Sequence, residues 1–205
     1  MKILYDTDIR QILFDYLDQK YGKVRTFEEK IIGKSRSDVI AVTDGAIIGL
    51  EIKSDADSYT RLPTQVRDYD RFFDMNLVVV GKSHESGVSK HIPPYWGILC
   101  ICEDDGVFSL KVAREALPNP KVKIKHQLSL MWKRELWGML DKSGLPKYRQ
   151  KSRKFICDKL IERIDEAALR RLITNELFER DYTQFDDVPK IKVKTAVKRT
   201  RRRTK

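Results

Sequence analysis

Two carboxylates and a lysine are spaced so that they could hold a divalent cation and an attacking water, as a hydrolase requires. Asp38 lies on one strand-like segment, and Glu51 and Lys53 lie on the next, beyond a turn at Asp44-Gly45. Alternate residues of a strand share a face, so Glu51 and Lys53 point the same way. A hairpin brings Asp38 to the same place, and the carbonyl of Ile52 offers a further oxygen.

The same residues have an ordinary interpretation, because Glu-x-Lys on the solvated face of a strand is usually a surface ion pair. Here the neighbours of Glu51 are apolar strand formers, and burying three charged groups without a purpose costs too much desolvation. We therefore predict that Asp38 and Glu51 bind magnesium or manganese. Lys53 would orient or help deprotonate the water, or stabilise charge on a phosphate.

The helix that follows supplies a candidate supporting residue. Arg61, Gln65 and then Asp68 or Tyr69 recur every three to four residues, which places them on one helix face. Gln65 could hydrogen-bond the water or a site carboxylate.

A third acid is a choice between two adjacent residues in the first strand. Glu28 and Glu29 point to opposite faces of a regular strand, so only one of them can face the site. The alternation does not decide which one.

Positive charge is concentrated at the end of the chain. The net charge is +11, and nine basic residues with no acid follow Asp187, so the rest is nearly neutral. This composition is typical of a disordered tail that binds a polyanion, and nucleic acid is favoured over a membrane because no apolar face accompanies the charges. The basic residues of this tail are Lys190, Lys192, Lys194, Lys198, Arg199, Arg201, Arg202, Arg203 and Lys205.

Cysteines and hydropathy indicate the compartment. The cysteines Cys100, Cys102 and Cys157 lack the spacing of a structural zinc site, and we predict that they are buried reduced thiols. The first residues are interrupted by charges, and no apolar run reaches transmembrane length. We expect a cytoplasmic protein that does not bind membranes.

The periodicities predict a mixed sheet flanked by helices. After Pro118-Asn119-Pro120 the sequence periodicity changes to a helical one. This change predicts a core over 1–120, a helical subdomain over 121–183 and the basic tail over 184–205. Helices are predicted over 6–20, 63–73, 126–140, 152–164 and 166–179, and strands over 24–32, 37–43, 46–53, 77–80, 96–102 and 107–112.

Together these residues resemble the PD-(D/E)XK nuclease superfamily. The segments SRSDVIAV, GLEIKSDADSYTRLPTQVRDYDRFFDMNLVVVGKSH and IPPYWGI look like a small bacterial and phage family within it. The resemblance implies an α/β fold, namely a restriction-endonuclease-like three-layer αβα sandwich with a mixed central sheet, followed by a C-terminal helical subdomain.

The resemblance also implies roles for individual residues. Asp38 and Glu51 would be metal ligands, Lys53 the catalytic lysine and Gln65 a supporting residue. Glu28 fits the position of the first-strand acid better than Glu29. Ser37 stands where the superfamily motif has proline, a departure that leaves the site intact.

The C-terminal region weakly resembles a SAP-like helical DNA-binding element, and an ordinary helical cap on the sheet fits it as well. The residues predicted to contact nucleic acid are Arg36, Arg61, Lys147, Arg149, Lys151, Arg153, Arg201, Arg202 and Arg203.

The predicted function is a magnesium- or manganese-dependent endonuclease acting on nucleic acid, with DNA favoured over RNA. The alternative is a catalytically silent DNA- or protein-binding module of bacterial or phage origin. A homodimer is compatible with cleavage of both strands of a duplex.

Overall fold

A computed structural model describes residues 6–105 and 107–181 of the chain, with side chains from residue 9 onward. The predicted basic tail, with Arg201, Arg202 and Arg203, lies outside the described residues. Six strands form one sheet in the order β1-β2-β3-β4-β5-β6. Their bounds are β1 Arg25–Ile32, β2 Ser35–Thr43, β3 Ala46–Lys53, β4 Met75–Val80, β5 Gly97–Asp104 and β6 Val107–Arg114.

The sheet is mixed, as predicted. Strands β1, β2 and β3 form an antiparallel meander, β3, β4 and β5 run parallel, and β6 returns antiparallel to β5. The parallel strands are covered on both faces, which explains their continuous apolar sequences. Helices α1 to α6 span Asp6–Tyr21, Leu62–Phe72, Ile124–Leu128, Lys133–Lys142, Arg153–Arg163 and Glu166–Phe178.

Helices cover both faces of the sheet and complete three layers. On one face, Ile9, Leu13 and Leu17 of α1 pack against alternate residues of the inner strands. On the other face, α2 to α6 share a single hydrophobic cluster with the sheet. The predicted αβα architecture is confirmed, and α3 to α6 join the same core as α2. Within the described residues, no helix is long and apolar enough to span a membrane.

The hairpin of β2 and β3 is set by its turn. Thr43 pairs with Ala46 across the two-residue connection, and Gly45 has a φ of +85°, a conformation that glycine adopts without a steric cost. The register continues to Val39 opposite Leu50. This short-range geometry fixes which side chains of β2 and β3 share a face.

Helix α2 lies close to β3 because Gly49 has no side chain. A Cβ at this position would lie 2.1 Å from the ring of Phe73, far inside van der Waals contact. The glycine therefore lets the end of α2 settle against the strand. This close approach brings the preceding turns of the helix over Glu51 and Lys53.

The predicted helix over 126–140 is two helices. Helix α3 ends at Leu128, and the guanidinium of Arg153 donates to the carbonyl oxygens of Leu128, Ser129 and Met131. Helix α4 then begins after Trp132, whose backbone N–H donates to the Glu135 carboxylate at 2.6 Å. A contact from a distant residue and a local cap thus divide a segment whose periodicity predicts one helix.

The three cysteines are unpaired, as predicted; Cys100 and Cys157 are buried, whereas Cys102 is half-buried rather than buried as predicted. Burial raises the pKa of the Cys100 thiol to about 12, so this thiol stays protonated at neutral pH. It behaves as a small core residue.

Candidate active site

Asp38 and Glu51 lie opposite each other at the end of the β2–β3 ladder. The last bridged pair is Val39 and Leu50, so the next residues in register are Asp38 and Glu51. Directly opposite residues of an antiparallel pair have their side chains on one face, with Cβ atoms about 4.5–5.5 Å apart. Both acids line a cavity of about 640 Å³ between this strand end and the first turn of α2. The predicted convergence of the two carboxylates is what the structure shows.

Glu51 and Lys53 form a buried ion pair. Their side chains are 1% and 2% exposed, and the ammonium of Lys53 donates to Glu51 Oε1 at 2.7 Å. Each charge is therefore removed from water and compensated by the other. The surface ion pair, the ordinary interpretation of Glu-x-Lys, does not describe this chain.

Helix α2 completes the surroundings of Glu51. The side-chain amide of Gln65 donates to Glu51 Oε1 and accepts from Lys53 Nζ at 3.2 Å. One turn later, the Tyr69 hydroxyl lies 2.8 Å from Glu51 Oε2, to which it can donate. The predicted approach of Gln65 is confirmed. Tyr69 is a further partner of Glu51; helix spacing predicted that it could share the face of Gln65 but gave it no contact.

Burial and hydrogen bonds act on Glu51 in opposite directions. Burial raises the pKa of Glu51 above its usual value, and Lys53, Tyr69 and Gln65 partly offset this by stabilising the carboxylate. The pKa of Tyr69 lies well above its usual value, because the phenol is buried and faces the charges of Glu51 and Asp38. Tyr69 therefore remains a protonated hydrogen-bond donor at any physiological pH.

Backbone groups orient Asp38. Its Oδ2 accepts from the N–H of Ile52 at 2.8 Å, and its own N–H donates to the Tyr69 hydroxyl at 3.2 Å. The carbonyl of Lys53 faces β4, where it accepts from Gly81. Because carbonyls alternate along a strand, the Ile52 carbonyl is directed to the β2 side, toward Asp38.

The donor atoms fit a hard cation that keeps several waters. The carboxylates of Asp38 and Glu51 and the carbonyl of Ile52 are all oxygens, and Mg²⁺ is often held by one or two carboxylates with water completing an octahedron. Within residues 6–105 and 107–181, no group of three or more His, Cys, Asp or Glu side chains is arranged to hold a metal ion. A cation here would therefore depend on two carboxylates, a carbonyl and water.

The structure places Glu29, rather than the predicted Glu28, at the cavity. Glu29 lines the cavity and has a φ of +55°, a left-handed conformation that interrupts the regular alternation of β1. Its carboxylate contacts Arg10 at 2.7 Å and Arg36 at 2.5 Å. Glu28 bonds Arg10 at 2.6 Å with half of its side chain exposed, and it does not line the cavity.

The cavity is also lined by cations. The predicted Arg36 and Arg61 are among them, together with Arg10 and Lys34, which the sequence reasoning missed. Arg10 reaches from α1 to the Asp38 carbonyl at 3.3 Å. In the sequence, the one feature that could have pointed to Arg10 is its position beside the apolar stripe of α1.

The predicted C-terminal contacts are dispersed. Lys147 pairs with Asp141 at 3.1 Å, and with Arg149 it lines a shallow groove beside Trp137. Lys151 is exposed. The guanidinium of Arg153 caps the end of α3, so its geometry gives it a structural role.

The chain is similar to a family of phage proteins and, more weakly, to one solved structure. The family model of bacteriophage P4 protein cII matches residues 2–198. Protein cII of Enterobacteria phage P4 is 22% identical over 147 residues, which are 70% of this chain and 56% of that protein, so the chain spans a little over half of its relative's length. SfsA of Pyrococcus furiosus, solved in complex with Ca²⁺, is 12% identical with a TM-score of 0.33 over 57% of this chain and 63% of SfsA. That structural likeness is too slight to carry an argument.

Proposed function

The chain belongs to the bacteriophage P4 protein cII family, and for this member we propose a magnesium- or manganese-dependent nuclease of the PD-(D/E)XK type that acts on DNA. The observation that carries the proposal is the buried Lys53–Glu51 pair directly across the hairpin from Asp38, in a cavity walled by arginines. Buried charges are costly, and an ionisable group whose pKa is shifted inside a cleft is a candidate functional site.

The carboxylates would hold the cation, which supplies Lewis-acid polarisation of the phosphate and acidifies water. Asp38 and Glu51 provide the negative charge, and Tyr69 and Gln65 fix the orientation of Glu51. Substitution of supporting residues of this kind typically lowers metal affinity or activity about 10–100-fold.

Lys53 and the cavity arginines act on the phosphodiester. The ammonium of Lys53 can orient the attacking water and stabilise the charge that builds on the phosphate oxygens. Water forms the new P–O bond, the bond to one sugar oxygen breaks, and the proton lost by the water is returned to that oxygen. Arg36 and Arg61 line the cavity and would bind non-bridging oxygens.

DNA is proposed as the substrate because the chain is basic, with a net charge of +11 that suits a phosphate backbone. Cleavage of both strands of a duplex would call for two such sites, which a homodimer supplies. RNA is kept as an alternative substrate in the experiment.

The test is cleavage by the purified full chain with Mg²⁺ or Mn²⁺ on duplex, single-stranded and branched DNA and on RNA. Asp38→Ala, Glu51→Gln and Lys53→Met should each abolish metal-dependent cleavage. Lys154→Gln, an exposed change on α5, should leave it intact. Absence of cleavage by the unaltered protein on every substrate would refute the nuclease.

One observation favours a second candidate, a binding module without turnover. The Glu51, Lys53 and Gln65 side chains satisfy one another, so no ligand is needed to provide their hydrogen-bond partners. Calorimetric titration with Mg²⁺ and Mn²⁺ separates the two candidates. The nuclease requires binding that Asp38→Ala and Glu51→Gln abolish, whereas a silent module binds DNA without either cation.

A further inference from the structure

A second cavity is lined by residues of α2 that alternate with those of the first cavity at the start of the helix. Arg61 and Thr64 line the candidate active site, and Pro63, between them, lines a groove of about 490 Å³ on the outer side of the helix. The opposite wall is the segment 120–123. A ligand in the active site could therefore continue into this groove along the helix.

The groove is built and held in place. The side-chain amide of Asn119 donates to the carbonyls of Asp70 at 2.8 Å and Phe73 at 2.7 Å, and its oxygen accepts from the N–H of Lys121 at 2.9 Å. The N–H of Lys123 donates to the Arg71 carbonyl at 3.0 Å. Three of these hydrogen bonds fasten the segment to the end of α2, and the fourth holds Lys121 to Asn119.

Cations dominate its walls. Arg67, Arg71, Lys121 and Lys123 line the groove and are exposed, whereas Asp70 is the one acid among its lining residues. Asp70 is buried, and its carboxylate accepts from Tyr95 at 2.6 Å and from Trp96 at 2.9 Å, with Lys121 at 3.4 Å. The negative charge is therefore compensated inside the protein, and the groove presents positive charge to solvent.

Two further features describe this positive field. The pKa of His126 is lowered by burial and then by the charges of Arg71, Lys123 and Lys125. Arg71 lies 4.0 Å from the buried Asp68, whose other oxygen is bonded to the N–H of Lys34 and the hydroxyl of Ser35. The positive charge at this end of the helix thus exceeds what the nearby acids offset.

We infer that this groove binds the phosphate backbone of a nucleic acid strand that leaves the active site. The helical wall of the groove runs from Pro63 to Arg71 and spans about 12 Å. A duplex strand carries a phosphate about every 3.4 Å along its axis, so the groove follows about three to four nucleotides. The exposed guanidinium and ammonium groups would contact phosphates and carry no base specificity.

The inference rests on the proposed function, and the experiment separates the two. The triple variant Arg67→Gln/Arg71→Gln/Lys123→Gln removes three groove cations and keeps Lys121, which compensates Asp70. The control Lys111→Gln/Lys154→Gln/Arg163→Gln removes three exposed cations from β6 and α5. Full chains are titrated against a labelled single strand and its duplex, with chelator present so that cleavage plays no part.

The measured quantity is the slope of log affinity against log salt. Each lost phosphate contact reduces the slope for duplex by about 0.9, so the groove variant should lose about 2.7. The control variant should keep the slope of the unaltered protein. The variant Arg67→Lys/Arg71→Lys should keep most of that slope, because both positive charges remain.

Equal slopes for the groove variant and the control would overturn the inference. If the groove instead binds an acidic protein, neither variant changes the salt slope of DNA binding, and the inference is also wrong. Thermal unfolding of each variant checks that the exposed changes leave the fold intact. A protein that loses its slope in the groove variant but never cleaves DNA would keep this inference and refute only the nuclease.

Discussion

Replacing Lys53 with methionine removes the ammonium that compensates Glu51 and keeps a side chain of similar length. Glu51 is 1% exposed, so water cannot take over the hydrogen bond that spans 2.7 Å. The same substitution removes the hydrogen bond that Lys53 donates to the side-chain oxygen of Gln65. Removing one partner of a buried ion pair typically costs about 3–5 kcal/mol, and we expect that loss of unfolding free energy at pH 7.

The loss should depend on pH in a defined direction. Burial already raises the pKa of Glu51 above its usual value, and the charge of Lys53 opposes that rise. Without Lys53 the folded pKa rises further, so the folded state binds the proton more tightly than the unfolded state. Stability of Lys53→Met is then best below the unfolded pKa of the carboxyl and falls as the pH rises through the folded pKa.

A second variant isolates the pair. Glu51→Gln/Lys53→Met removes both charges and keeps similar volumes, so its unfolding free energy should lie within about 1–2 kcal/mol of the unaltered protein. Urea unfolding followed by tryptophan fluorescence, from pH 4.5 to 8, measures all three proteins. A single variant that costs under about 1 kcal/mol with no pH dependence would refute the buried, mutually compensated pair.

Two further predictions concern residues around the proposed cation site. Tyr69→Phe removes the hydroxyl that lies 2.8 Å from Glu51 Oε2, and it should weaken Mg²⁺ binding or cleavage about 10–100-fold, measured by calorimetry and by rate. Unchanged affinity and rate would remove Tyr69 from the site. Glu29→Gln and Glu28→Gln form a matched pair on one strand, and only Glu29→Gln should alter cleavage, because only Glu29 lines the cavity. A larger effect from Glu28→Gln would instead support Glu28 as the first-strand acid of the site, as the sequence resemblance implies.

The placement of Asp38, Glu51 and Lys53 follows from the sequence because it depends on short-range geometry. A two-residue turn sets the register, and strand alternation then decides which side chains share a face. The Gln65 position follows in the same way from helix spacing, given a helix that lies against the strand. For the same reason, the mixed sheet and its flanking helices are predictable from periodicity.

Other features depend on groups that are distant in sequence. The left-handed conformation of Glu29 interrupts the alternation of β1, and Arg10 reaches the cavity from α1, which packs against the sheet. The break between α3 and α4 depends partly on Arg153, more than twenty residues away.

The sequence alone determined the chemical groups of this site and the strand on which each lies, since local periodicity encodes both. The tertiary structure decided which first-strand acid faces the cavity, which arginines surround it, and that the segment 120–123 forms a basic groove with α2. Those outcomes come from packing between elements far apart in the chain, where the free energy depends on the whole core and no local pattern records it.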